Sequence, residues 1–293
     1  MRTHLTLTGL LLFSGLWCAP ALMAMSDPQY LLAMQAMHMH DTPLASPATY
    51  AKPLQPIRHR AVVYARVNGQ PVHGYLAEPL HAKGALPAVI VIHEWWGLND
   101  NIRSMADQLA GEGYAALAVD LYRGKSATTP AQAIELMKGV FADKAAAGSN
   151  LRQAYAFLHD TELAPHVGVI GWCFGGGWSL QIALMLPDKI NAVVMYYGEP
   201  ADNVAELSRL KMPLLGFFGE EDKSITVADV QAFQAALKQA HVAAEIHEYP
   251  DAGHAFANPS GGNYRPEAAA DAWKRTLAFF ARYLQGAGAP AAG

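Results

Sequence analysis

Residues 167–176 read Val-Gly-Val-Ile-Gly-Trp-Cys-Phe-Gly-Gly, an apolar run of strand length that turns at a glycine and leads into a helical stretch. This is the G-x-nucleophile-x-G elbow with cysteine where serine usually stands. Its glycines permit a turn too tight for side chains, which lifts Cys173 above a sheet and sets it at a helix N-terminus. There the free amides and the helix dipole favour a thiolate. A small buried hydrophobe in a glycine-rich turn is the alternative, but strand, elbow and helix all occur in the context that the motif requires.

Working outward, residues 62–67 and 72–78 flank Asn68-Gly69, a two-residue turn that favours a β-hairpin. Further strands are predicted at 88–92, 115–119, 167–170, 192–196, 214–218 and 244–249. Most are continuous apolar runs, the mark of a parallel sheet buried on both faces. Helical periodicity occupies 99–111, 131–142, 145–158, 176–186, 226–240 and 265–283. A hairpin leading into alternating strands and helices predicts one α/β domain, a mostly parallel sheet of about eight strands flanked by helices, over residues 60–285.

The order nucleophile, acid, histidine gives an independent expectation. After the run 214–218 comes Gly219-Glu220-Glu221-Asp222, and after 244–249 comes Asp251-Ala252-Gly253-His254. Both loops follow strand C-termini, where ligand sites of open α/β sheets gather. Asp222 is the expected carboxylate, with Glu220 and Glu221 as rivals, and His254 the expected base. His247, inside a strand beside Glu248, reads as a surface residue. Two amides are needed for an oxyanion hole, one from Phe174 after the elbow and one from the loop His93-Glu94-Trp95-Trp96-Gly97, where Trp95 is the choice. Glu94 then sits at the mouth of an apolar site, and a carboxylate there requires a partner or a raised pKa.

These segments, with Asp120-Leu121-Tyr122, Tyr196-Tyr197-Gly198 and Gly253-His254-Ala255-Phe256, resemble the dienelactone hydrolase family over about residues 60–284. The resemblance implies an α/β-hydrolase fold, a Cys173, Asp222 and His254 triad, and oxyanion amides from Trp95 and Phe174. It implies that Glu94 holds the resting thiol protonated and moves aside for substrate. Trp96, Tyr122, Trp172, Tyr196 and Tyr197 become candidate substrate-binding residues. Family members that act on dienelactone clamp its carboxylate with arginines. Here residues 124–150 hold no arginine and the position four beyond His254 is Asn258; Arg123 is a candidate substitute, with a solvated surface charge the preferred reading of it. The expectation is a cysteine-dependent hydrolase of small-molecule esters or lactones that needs no cofactor or metal. Its rival is a non-catalytic fold that binds an apolar ligand through Trp95, Trp96, Trp172 and Phe174.

Composition agrees with a well-packed body. The chain has 293 residues, 52% apolar and 16% charged, which excludes a mainly disordered protein. With 21 basic against 25 acidic residues the net charge is −4, no surplus for holding nucleic acid. Residues 1–24 have the layout of a secretory signal peptide, and their apolar run is too short for a permanent membrane anchor. A periplasmic or secreted protein is expected. Cleavage would remove Cys18, leaving Cys173 with no disulfide partner. Residues 25–59, rich in Pro, Met and His, read as a linker or loosely attached arm, and 286–293 as a disordered tail. Within the arm Met34, Met37, His38, Met39 and His40 can be imagined as a copper site, though a short amphipathic helix packing its methionines is the preferred reading.

Overall fold

The computed structural model describes residues 28–39, 41–46, 49 and 51–286; residues 1–27, which include the segment expected to be a signal peptide, and residues 40, 47, 48, 50 and 287–293 lie outside it. Eight strands form one sheet in the order β1-β2-β4-β3-β5-β6-β7-β8. They are β1 (Ile57–Val67), β2 (Gln70–Pro79), β3 (Ala88–Ile92), β4 (Ala115–Val119), β5 (Val167–Trp172), β6 (Ala192–Tyr196), β7 (Leu214–Gly219) and β8 (Ala244–Tyr249). β1 and β2 form the antiparallel hairpin about Asn68-Gly69, β2 pairs antiparallel with β4, and β3 to β8 run parallel. Every residue of β3, β4 and β6 is buried, as continuous apolar runs require of a doubly covered sheet.

α1 (Pro28–Met37) precedes the sheet, and α2 (Asp100–Gly111), α3 (Pro130–Ala142), α4 (Lys144–Ala156), α5 (Phe174–Met185), α6 (Val204–Leu207), α7 (Val227–Gln239) and α8 (Pro266–Phe280) follow in turn. Local chemistry sets their starts. The Asn99 side chain accepts from the Ile102 amide to cap α2, and Thr226 with Asp229 forms a capping box on α7. Single π turns, Phe157–Thr161 and Ala281–Gln285, extend α4 and α8, so the long helical periodicities at 145–158 and 265–283 end less regularly than expected.

Three expectations need correction. β1 begins at Ile57, five residues before the pattern at 62; residues 58–61 are exposed, so no alternation marks them, and pairing with β2 alone makes them strand. α5 begins at Phe174 rather than 176, because the elbow converts to helix immediately. The segment read as a loose arm is seated on the body. Leu31, Met34, His38 and Thr49 are buried, and Ser46 bonds both Ser260 Oγ and Pro259 O. Met34 packs in the core while Met39 is exposed, so they do not converge on a metal. Met37's side chain and His40 lie outside the described residues. Among the described residues no helix is long and apolar enough to cross a membrane.

β3 and β5 are neighbours, yet the chain leaves β3 toward β4 on one side and β5 toward β6 on the other. The strand order reverses between them, and a crevice opens at their C-terminal ends.

Candidate active site

Cys173 leaves β5 with φ 53° and ψ −118°, a conformation that costs a non-glycine residue about 1–3 kcal/mol. Its flanking glycines allow the turn. A Cβ on Gly171 would lie 2.1 Å from Gly175 O, and one on Gly175 would lie 2.4 Å from Ile92 O. Backbone thus packs on backbone at the switch point, and the thiol is held at the N-terminal end of α5, 3% exposed. The Phe174 amide, first in the helix, lies outside the i to i−4 ladder. Across the crevice the Trp95 carbonyl accepts from Tyr122 Oη at 3.0 Å, which fixes the loop carrying the other expected amide.

His254 is completely enclosed, and its Nδ1 lies 2.6 Å from Asp222 Oδ2. Asp222 Oδ1 accepts from the Ser224 hydroxyl at 2.7 Å and from the amides of Ser224 and Ile225 at 2.8 and 3.1 Å. Burial would raise the Asp222 carboxyl, but His254 and these donors outweigh it and hold it at about 2. Burial would likewise lower His254, yet the Asp222 carboxylate and the Cys173 sulfur raise it well above the ordinary histidine value. His254 Nε2 is buried and makes no hydrogen bond of good geometry; Cys173 acts on it through charge and proximity. Glu220 and Glu221 are exposed, so of the three acids in that turn Asp222 is the one that meets the imidazole.

Glu94 is 5% exposed and doubly held: Tyr197 Oη donates to Oε1 at 3.3 Å and Asn258 Nδ2 to Oε2 at 2.7 Å. Burial raises its carboxyl to about 7, against the opposing pull of His254 and the two donors. The expected partner and the expected shift are both present. Asn258 in turn accepts from Asn101 Nδ2 at 3.2 Å, and Asn101 accepts from Thr49 Oγ1 at 2.8 Å. Sequence reasoning missed this chain. In the sequence Asn258 stands out only for the arginine it is not, and nothing local marks Asn101 or Thr49.

A cavity of about 280 Å³ opens beside Glu94, lined among others by Trp172, Tyr197, Asn258 and Trp273, with Thr49 from the arm. Two of the candidate binding residues are therefore on its wall. The others are elsewhere. Tyr196 is buried with its hydroxyl 2.7 Å from Thr276 on α8, because successive strand residues face opposite sides and the backbone reverses at Tyr197, φ 36°. Trp96 packs against Trp95 at 4.8 Å between ring centroids, as core. Tyr122 supports the Trp95 loop. Arg123 is exposed, at φ 54°, and lines a separate surface recess with Lys125 and Glu135. His247 is half-buried, stacked on Phe217, rather than at the surface.

Elbow, switch-point crevice and sheet order together make the chain an α/β-hydrolase. Residues 72–284 match the Dienelactone hydrolase family, and the chain belongs to that family. It is 35% identical over 224 residues to "Protein usf" of Aquifex pyrophilus, covering 74% of this chain and 96% of that protein. It is 34% identical to a "Putative carboxymethylenebutenolidase" of Synechocystis sp., covering 73% and 93% respectively. A solved "Putative Dienelactone Hydrolase" from Klebsiella pneumoniae superimposes with a TM-score of 0.71 at 30% identity, over 78% of this chain and 100% of that one. The chain is a dienelactone hydrolase-like hydrolase.

Proposed function

We propose that the chain is an exported, cysteine-dependent hydrolase of carboxylic esters or lactones. The observation that carries this reading is the buried His254, bonded through Nδ1 to Asp222 at 2.6 Å, with the sulfur of the elbow cysteine close enough to raise its pKa. In the reaction the Cys173 thiolate adds to the ester carbonyl, and the amides of Trp95 and Phe174 take the oxyanion. The carbon–oxygen bond to the alcohol breaks, and His254 delivers its Nε2 proton to the departing oxygen. Water then gives a proton to His254 and adds to the thioester; the carbon–sulfur bond breaks, releasing the carboxylic acid and the thiolate. At rest Glu94, whose carboxyl burial raises to about 7, keeps the thiol protonated; when it moves aside for substrate the thiol proton passes to His254 Nε2, and this is the proton later given to the leaving oxygen. Glu94 thus keeps the sulfur from standing as a permanent thiolate, which suits an oxidising compartment.

Export rests on the layout of residues 1–24. Hydrolysis of phenyl acetate and of small lactones by the purified protein, lost in Cys173→Ala, tests the chemistry. Retained activity in that variant sinks the nucleophile assignment. Cell fractionation with mass measurement of the product tests export, and an uncleaved cytoplasmic chain overturns it.

A further inference from the structure

We propose that His38, supplied by the N-terminal arm, is a specificity-determining residue of this site: its Nε2 hydrogen-bonds a second oxygen function of the substrate, outside the ester group. The inference rests on the hydrolase reading above.

His38 follows α1 directly and is 2% exposed. Its Nδ1 is engaged by Asp41 Oδ2 at 2.7 Å, and the other Asp41 oxygen accepts from the Gly262 amide at 3.3 Å. Asp41 thereby fixes the ring and ties it to the loop that follows His254. The His38 ring packs 5.2 Å from Trp95 and 5.4 Å from His254, centroid to centroid. Those two residues carry the expected oxyanion amide and the expected base, so His38 borders the reacting centre itself.

Its Nε2 is buried and has no hydrogen-bond partner, whereas Nε2 of His254 has the Cys173 sulfur beside it. Leaving a buried polar atom unpaired costs about 1–3 kcal/mol, and such atoms collect where function requires them. The one on His38, whose ring lies edge to face with that of His254, is complemented by a substrate oxygen beyond the ester group. His254 meets the leaving oxygen of the ester. His38 meets a further oxygen close to the scissile bond: with its Nδ1–H given to Asp41, Nε2 of the neutral ring accepts from a hydroxyl, and only the protonated ring has an Nε2–H to donate to a carboxylate. The arm is anchored at its far end by Thr49, whose hydroxyl begins the chain through Asn101 and Asn258 to Glu94. It is thus built into the site at two points.

The test compares phenyl acetate, phenyl lactate and monophenyl succinate as substrates of the full-length protein, its His38→Phe and His38→Gln variants, and Asp41→Asn. Phenylalanine preserves the packing on Trp95 and lacks the nitrogen. It is expected to raise KM for the lactate or the succinate ester about tenfold more than for phenyl acetate, the size of one hydrogen bond to a polar ligand. The split lies in KM rather than kcat, and glutamine, which keeps an amide nitrogen, restores part of the preference. Which of the two esters responds tells hydroxyl from carboxylate. Equal effects on all three esters, or none, overturn the inference, the former marking His38 as packing only. If His38→Phe does not fold, Asp41→Asn replaces it: a smaller, equally selective rise supports the inference, and unchanged kinetics overturn it. Wild-type protein that hydrolyses none of the three esters overturns the hydrolase reading itself, and this inference with it.

Discussion

Asn258 Nδ2 donates to Glu94 Oε2 at 2.7 Å, across 164 positions of sequence. The residue standing four places beyond His254 therefore acts on the carboxyl of the opposite loop. That bond stabilises the charged form of Glu94 against a burial that raises its carboxyl to about 7.

Removing the donor should let burial win further. Asn258→Ala is expected to move the Glu94 titration upward by roughly one pH unit, the scale of a hydrogen bond to a charged group. The rate of Cys173 alkylation against pH reads this directly. A limb that stays in place, or moves down, contradicts it.

Glu94 also carries a stability consequence. Its folded pKa, about 7, stands above its ordinary 4.5, so the folded state holds a proton that the unfolded state gives up between those values. Stability is fully present below about pH 4.5 and declines as pH rises through 7, by about 3 kcal/mol. Glu94→Gln removes that penalty. The variant should equal wild type in urea near pH 4.5 and exceed it at pH 8, with the gap opening between; a constant gap would contradict this sign.

Asp222 has the opposite sign. Its carboxyl is held at about 2 against an ordinary 3.8, so it contributes stability above about pH 4 that is lost as pH falls toward 2. The size is about 2 kcal/mol. Asp222→Asn should flatten the acid limb of stability against pH and remove nearly all hydrolysis, whereas an unaltered acid limb would assign that limb to other carboxylates.

At position 173 alanine and glycine should reverse their usual order. Alanine ordinarily stabilises relative to glycine, but φ 53° with ψ −118° suits only glycine. Both variants should be inactive, with the urea midpoint of Cys173→Gly above that of Cys173→Ala. Equal midpoints would mean that the elbow stores no strain.

The adjacent tyrosines separate by role. Tyr196→Phe removes the bond to Thr276 and should lower stability by about 1 kcal/mol while kcat/KM stays near wild type. Tyr197→Phe removes a donor to Glu94 on the cavity wall and should shift the pH profile of thiol reactivity. Identical behaviour of the two variants would undo this assignment.

The elements that the chain announced are those with short-range causes. Asn68-Gly69 makes a hairpin because of backbone handedness, and Gly171 and Gly175 leave room for the elbow because nothing larger fits against Ile92 and each other. Residues 58–61 and the arm carried no such signal. The former are strand through pairing with β2, and the latter is held by Ser260, Asn101 and Asn99, far along the chain.

The sequence by itself determined the α/β architecture, the elbow at Cys173 and the succession of Cys173, Asp222 and His254, since apolar runs, glycine sterics and loop order are written locally. Tertiary structure alone decided that Asp222 rather than Glu220 or Glu221 meets His254, that Tyr197 rather than Tyr196 reaches Glu94, and that Asn258 holds it. It also brought His38 beside His254. Those outcomes depend on which way a side chain faces after a turn and on contacts between distant segments, and a one-dimensional pattern holds neither.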